Sequence, residues 1–269
     1  MTNTPLKFPI DTFTFKQGDP AEYFDTRVLR QLCEIEHPAD LAAQFSEFDP
    51  DQAAEIFSRL TPECCGHVLR YLDYEFRREI AGKLDDKVLS RVIAEMTSDD
   101  RVDLLHSMPD ERSEKLIHLL AQKEREDIRR LSSYEEGTAG AIMTSEYATV
   151  CPDMTARQAI DRLRLEAPDK ETIYYAYVID SQRRLLGLVS LRELILARPA
   201  ARVADIMRKD LVCAHVHDDQ EAVARQMTTY DLLAIPVING GDALVGIVTF
   251  DDVQDVMEQE ATEDFHRMG

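Results

Sequence analysis

The 269-residue sequence contains no tryptophan and few aromatics of any kind (7%), so it offers no stacking platform for bases. It has no run of about 18 uncharged apolar residues, the minimum for a membrane-spanning helix. Met1–Gly18 does not join a basic start to an apolar stretch, so it does not read as a secretory signal. The cysteines (33, 64, 65, 151 and 213) are odd in number and form no C-x-x-C pair. They read as reduced thiols of a cytosolic protein rather than as a disulfide or zinc framework. The 10 glycines are scattered, and there is no Walker A, G-x-S-x-G or H-E-x-x-H sequence, so no catalytic set emerges. Basic residues are also scarce: 31 Lys and Arg against 51 Asp and Glu leave a net charge of −20. Such a chain is not a general nucleic-acid binder, because each phosphate contact needs a cation, nor does it dock on anionic lipid through basic patches. It favours cationic partners, either a protein surface or metal ions, and counter-ions can set how compact it is.

What is present is repetition. Residues 37–120 divide into blocks of twelve beginning at His37, Asp49, Thr61, Asp73, Asp85, Thr97 and Pro109. The twelfth position (Phe48, Leu60, Leu72, Leu84, Met96, Met108, Leu120) and the ninth (Phe45, Phe57, Leu69, Ala81, Ile93, Leu105, Ile117) are apolar throughout. The eighth is apolar except at Gln44. Positions 8, 9 and 12 share one helical stripe. Asp and Thr at block starts are N-caps, and Pro38, Pro50 and Pro62 follow where a missing N–H costs nothing. Each block predicts a helix of about eight or nine residues, too short to stand alone, so the helices must stack into an α-solenoid.

From Ala141 a second repeat appears. Ile142-Met143 answers Ile206-Met207, and the helix Ala156–Leu165 answers Glu221–Met227. The strand Tyr177–Asp180 answers Pro236–Asn239, and Leu186–Ser190 answers Val245–Thr249. This predicts two tandem β-α-β-β-α units, joined to the solenoid at Gly137–Gly140.

The φ-G-φ-φ-[ST]-x-x-D pattern, met by Val245–Asp252 and departed from by Leu186–Glu193 only in ending on Glu193, together with the "IM" entries resembles a pair of CBS domains. Acidic short helices, then Glu136–Gly140, Glu171–Val178, Tyr230–Val237 and Glu260–Asp264 in that order, resemble the cytosolic part of MgtE-type magnesium transporters. The resemblance implies an α plus α/β architecture. An N-terminal extension (1–30) precedes an MgtE-like superhelical stack of short helices (31–133). CBS domain 1 (138–200), CBS domain 2 (201–258) and the start of a connecting plug helix (259–269) follow. It implies a homodimer through the CBS units on the cytoplasmic side of the membrane. It also implies a membrane pore domain that is absent from this chain; a piece of a longer protein is expected over a free-standing regulatory protein.

The acids Asp251, Asp252, Asp255, Glu258, Glu260, Glu263 and Asp264 lie in fourteen residues without a base. Like charges three or four apart weaken a helix, and a bound divalent cation reverses that sign; the alternative is a solvated acidic face. Carried over from the resemblance, Mg²⁺ ligands are expected at Asp219, Glu221, Asp231, Asp252, Asp255, Glu260, Glu263 and Asp264. Glu63, Asp99 and Asp100 are the solenoid partners. The resemblance also implies an adenine-nucleotide cleft, with ATP or a relative held by Thr249 and Asp252. Ser190 and Glu193 hold the same places in the first unit, and Tyr174, Tyr175 and Arg192 are candidates for stacking and phosphate charge. Asp252 falls in both sets. Cys213, His215 and His217 alternate, but Thr149, Cys151 and Asp153 do the same in the first unit, so the pattern reads as ordinary strand alternation.

The expected function is a non-enzymatic Mg²⁺ sensor, compact when Mg²⁺ bridges its acids and open when Mg²⁺ is low. An adenine-nucleotide-sensing CBS module and a protein-docking adaptor are the alternatives.

Overall fold

The computed structural model describes residues 26–167 and 170–257. The chain forms two compact units that divide between Glu95 and Met96.

In the first unit, six helices follow one another: α1 (Thr26–Ile35), α2 (Pro38–Phe45), α3 (Pro50–Phe57), α4 (Pro62–Arg70), α5 (Tyr74–Lys83) and α6 (Asp86–Glu95). Helices α2 to α6 each begin one residue after a twelve-residue block start. Asp49 Oδ1 accepts from the N–H groups of Asp51 and Gln52 at 3.0 Å, and Thr61 Oγ1 from Cys64 at 3.3 Å, satisfying donors that a helix start leaves open. Each helix packs on the next but one, α2 on α4, α3 on α5 and α4 on α6. That places Phe45, Phe57, Leu69, Ala81 and Ile93, the ninth residues of successive blocks, in the buried interior. Phe45 and Phe57 meet edge to face at 5.5 Å.

The cysteines depart from expectation. Cys33 of α1 and Cys64 of α4 form a disulfide across 31 residues, with Cα atoms 5.9 Å apart. Spacing could not announce it, because only the packing of α1 beside α4 brings the two together. A loop of that length corresponds to about 4 kcal/mol of chain entropy removed from the unfolded state. The neighbouring Cys65 stays a thiol: burial pushes it up to about 12, and its Sγ–H donates to the Phe57 carbonyl at 3.2 Å.

In the second unit the helical repeat continues through α7 (Ser98–His106), α8 (Asp110–Leu119) and α9 (Gln122–Leu131). The first βαββα unit is β1 (Tyr147–Val150), α10 (Ala156–Glu166), β2 (Thr172–Ile179), β3 (Leu185–Ser190) and α11 (Leu191–Leu196). After α12 (Val203–Ile206) comes the second: β4 (Ala214–His215), α13 (Gln220–Thr229), β5 (Ala234–Ile238), β6 (Leu244–Thr249) and α14, described over residues 250–257. In each sheet the first strand runs parallel and the third antiparallel to the central one, giving orders β1-β2-β3 and β4-β5-β6.

The "IM" entries cross over. Thr144 exchanges backbone hydrogen bonds with Ile247 of β6 (2.8 and 3.0 Å), and Arg208 does the same with Leu188 of β3 (2.8 and 2.9 Å). Each φ-G-φ-φ glycine lies under the entry methionine of the other unit: a Cβ on Gly187 would stand 2.9 Å from Met207 Sδ, and one on Gly246 would fall on the Met143 side chain. The glycine is required by close approach rather than by backbone angle.

Residues 137–140 are fastened as well. The Ala139 N–H donates to Asp218 O at 2.8 Å, the Gly140 N–H to Val216 O at 3.0 Å, and the Gln220 N–H to Gly137 O at 2.9 Å. The core between the two sheets gathers Tyr147, Tyr177, Ile179, Ala234, Leu244 and Ile247. Among the described residues, no helix is long and apolar enough to cross a membrane.

Candidate metal centre

Three carboxylates from separate elements of the second unit meet: Asp99 in the first turn of α7, Glu171 immediately before β2, and Asp252 near the start of α14. One oxygen from each lies within 4.8 Å of the other two. Helix α7 begins inside the protein, so Ser98, Asp99 and Arg101 are all buried, and Asp99 is only 6% exposed. Its Oδ1 has no hydrogen-bond partner among the described residues. Asp252 is oriented by Thr249, whose hydroxyl and N–H both donate to Oδ2.

The cluster concentrates negative charge in a small volume. Asp99 is pushed well above the usual carboxylate range, first by burial and then by the negative charges of Asp252, Glu171 and Asp100. At an effective dielectric of about 20, two ionised carboxylates at this separation repel by on the order of 3 kcal/mol. The helix N-termini beneath Asp99 and Asp252 offset part of this, about 0.3–1 kcal/mol each. A proton or a cation must supply the rest. The donors are all hard oxygens, which suits Mg²⁺ or Ca²⁺ and not a soft metal. The unpartnered oxygen of a buried aspartate is the specific observation that the site fits such an ion.

Of the expected residues, the structure brings Asp99 and Asp252 together. Glu171 joins them although the sequence reading did not single it out. Its only local sign is an acid placed directly before a buried strand. Asp100 stands beside the cluster and accepts from the Thr97 hydroxyl at 2.8 Å. Asp219 caps α13 through the Ala222 N–H at 3.0 Å, and Glu221 pairs with Arg225 at 2.7 Å. Asp231 is exposed in a left-handed turn (φ 49°), and Asp255 is exposed on α14. Glu63 is exposed in the first turn of α4, in the first unit. Glu260, Glu263 and Asp264 lie outside the described residues.

The nucleotide candidates are arranged differently. Tyr174 and Tyr175 are adjacent in β2 and therefore face opposite sides: Tyr174 is 67% exposed, and Tyr175 packs against the inter-sheet core. Arg192 is exposed. Glu193 closes a capping box with Ser190, whose N–H and hydroxyl donate to Oε2 at 2.8 and 2.9 Å, while Oε1 accepts from Arg208 Nε at 2.8 Å. Burial raises Glu193, but these bonds outweigh it and hold the carboxyl below its ordinary value. In this arrangement both Glu193 oxygens and the Thr249 hydroxyl are already engaged.

A family model described as the MgtE intracellular N domain matches residues 36–137, and the CBS-domain model matches 139–200 and 203–259. The magnesium transporter MgtE of Thermus thermophilus is 41% identical over 248 residues, 91% of this chain and 55% of that protein. The magnesium transporter MgtE of Bacillus subtilis is 34% identical over 241 residues, 90% of this chain and 53% of that protein. The chain spans about half the length of these curated relatives. A crystal structure of the cytosolic domain of the Mg²⁺ channel MgtE in complex with ATP aligns with a TM-score of 0.81 at 40% identity, covering 86% of this chain and 95% of that one. The soluble part of a magnesium transporter aligns at 0.82 with 34% identity, covering 88% and 93%.

Proposed function

Because the chain belongs to the MgtE family, we propose that it is the cytosolic, non-enzymatic Mg²⁺-sensing region of a magnesium transporter whose membrane pore lies outside these residues. The observation that carries this reading is the Asp99–Glu171–Asp252 cluster, with its buried, unpartnered Asp99 oxygen. When Mg²⁺ is bound it supplies the positive charge that lets all three acids ionise together. Asp99, Glu171 and Asp252 would hold it, with water completing the shell. At low Mg²⁺ the same acids repel, and the compact arrangement loses stability. An ion shifts such an equilibrium only by its differential affinity for the two states, so sites made only in the compact form give the response its steepness.

Asp100, Asp219, Glu221, Asp231 and Asp255, together with Glu63, Glu260, Glu263 and Asp264, are proposed as further contributors to Mg²⁺-dependent compaction. The net charge of −20 supports several weak sites rather than one tight one. Limited proteolysis across a Mg²⁺ titration, at constant ionic strength and with a K⁺ control, tests the reading. Protection that rises cooperatively with Mg²⁺ and not with K⁺ is expected; identical digestion at every Mg²⁺ level contradicts it.

The chain is further proposed to act as a homodimer through its CBS units. Leu165, Ile195 and Leu196 of the first CBS unit and Tyr230, Leu233, Phe250 and Met257 of the second CBS unit are large apolar side chains left exposed, which supports a second copy as their cover.

An adenine nucleotide is a second ligand worth testing, because a 40% identical cytosolic domain was solved with ATP. Tyr175, Arg192 and Glu193 are the positions proposed to receive it, with Arg208 releasing Glu193. Thr249, Asp252 and Tyr174 remain proposed contacts. Calorimetry with ATP in EDTA separates this from Mg²⁺ binding.

A further inference from the structure

We propose that the segment Thr144–Glu146 is the positioning element of the carboxylate cluster, with the Thr144 hydroxyl at its centre. The proposal rests on the Mg²⁺ reading of that cluster. The three acids come from α7, the start of β2 and the start of α14, and these consecutive residues bond to the immediate support of each.

Towards Asp99, the hydroxyls of Thr144 and Ser98 lie 3.0 Å apart, and the Ser145 N–H donates to Ser98 Oγ at 2.8 Å. Ser98 directly precedes Asp99, and both hydroxyl-bearing residues are buried, at 0% and 1% exposure. Towards Glu171, the Glu171 N–H donates to Glu146 O at 3.0 Å. Towards Asp252, Thr144 pairs with Ile247, two residues before Thr249, which in turn holds Asp252. The Glu146 N–H closes the segment on itself by donating to Thr144 Oγ1 at 3.3 Å. Ser145 Oγ adds an anchor to α9, donating to Asp127 at 2.6 Å, and Arg130 joins Asp127 (2.6 Å) to the Val245 carbonyl of β6 (2.9 Å).

The Thr144 hydroxyl can offer one donor and two acceptor sites, and here it serves Ser98 and Glu146 at once. Carboxylates that repel one another keep a fixed spacing only if their backbones are tied to a common part. Thr144 is therefore a positioning residue: it is assigned no contact with the ion.

The test is calorimetric titration of Mg²⁺ into the full chain in metal-free buffer, paired with the thermal midpoint in EDTA. Thr144→Val keeps the volume and removes the hydroxyl, Thr144→Ser keeps the hydroxyl, and Ser98→Ala removes the other half of the pair. Thr144→Val and Ser98→Ala are expected to weaken Mg²⁺ binding about tenfold or more, the usual scale for groups that orient ligands. Thr144→Ser is expected to restore wild-type affinity. A Thr144→Val chain that loses thermal stability in EDTA but binds Mg²⁺ like the wild type overturns the proposal, since a merely structural role would do that. If Asp99→Asn weakens Mg²⁺ binding while Thr144→Val and Ser98→Ala leave it unchanged, the positioning role alone is overturned. If Asp99→Asn binds like the wild type, the Mg²⁺ reading fails and the positioning role with it.

Discussion

The Met143 side chain occupies the space that a Cβ on Gly246 would need. At Gly187 the Arg208 carbonyl and then Met207 stand in that place, so each CBS unit is capped by the entry segment that opens the other. The glycine in φ-G-φ-φ is thus a packing requirement between units.

Gly246→Ala is expected to cost about 1–3 kcal/mol, the range for overfilling a packed core. Met143→Ala should relieve the overlap, so the double variant is expected to be more stable than the sum of the two single losses allows. Urea unfolding of the four chains checks this; strict additivity would mean that the two side chains do not compete for one space.

The Cys33–Cys64 bond makes a second claim testable. Reductant should lower the unfolding free energy of the wild type by about 4 kcal/mol, within the range of about 2–5 kcal/mol usual for loss of a native disulfide. Cys33→Ser should already be at the lower value and show no response to reductant. Cys65→Ser should keep the response, because Cys65 is a buried thiol bonded to Phe57 O. A wild type insensitive to reductant would contradict the bond.

Glu193 sets a pH dependence. Its folded pKa lies below the ordinary 4.5, held there against burial by Ser190 and Arg208. A depressed carboxylate contributes stability that is complete above its unfolded pKa and is lost as pH falls through the folded one. The wild type should therefore lose more stability than Glu193→Gln as pH drops below about 4.5. Thermal midpoints from pH 7 downwards check this, and parallel curves for the two chains would contradict it. Ser190→Ala, which removes the cap, should cost about 1 kcal/mol at neutral pH.

The exposed apolar residues of α10 and α11 predict association. Leu196→Glu, combined with Ile195→Glu, is expected to halve the mass seen by light scattering and to make the unfolding midpoint independent of protein concentration. A wild type that scatters as a monomer would remove the dimer from the account.

Much of this fold can be read from residues because its signals are local. Asp49, Thr61 and Asp73 announce helix starts by bonding two or three residues ahead, and a twelve-residue period survives because every block buries the same positions. The Ser190–Glu193 capping box is equally local, though its consequence is not: Arg208 reaches Glu193 only through the crossed pairing of Arg208 with Leu188. Glu171 and the Cys33–Cys64 bond were hidden for one reason. Each depends on an element distant in sequence arriving alongside, and neither residue carries a periodic or spacing signal of its own. Asp99 and Asp252 were legible as acids in acidic surroundings, but what distinguishes Asp99 from its neighbours is burial, which the sequence pattern does not express.

Binding of a divalent cation at Asp99 is tested by the thermal midpoint of the wild type and Asp99→Asn, each in EDTA and in millimolar Mg²⁺ at constant ionic strength. If the cluster is a divalent-cation site, Asp99→Asn removes a buried repulsive charge, so it should be more stable than the wild type in EDTA and should gain less from Mg²⁺, keeping only what the other acids contribute. The wild type should gain markedly. An Asp99→Asn chain that is stabilised by Mg²⁺ as much as the wild type would mean that Asp99 holds no divalent cation.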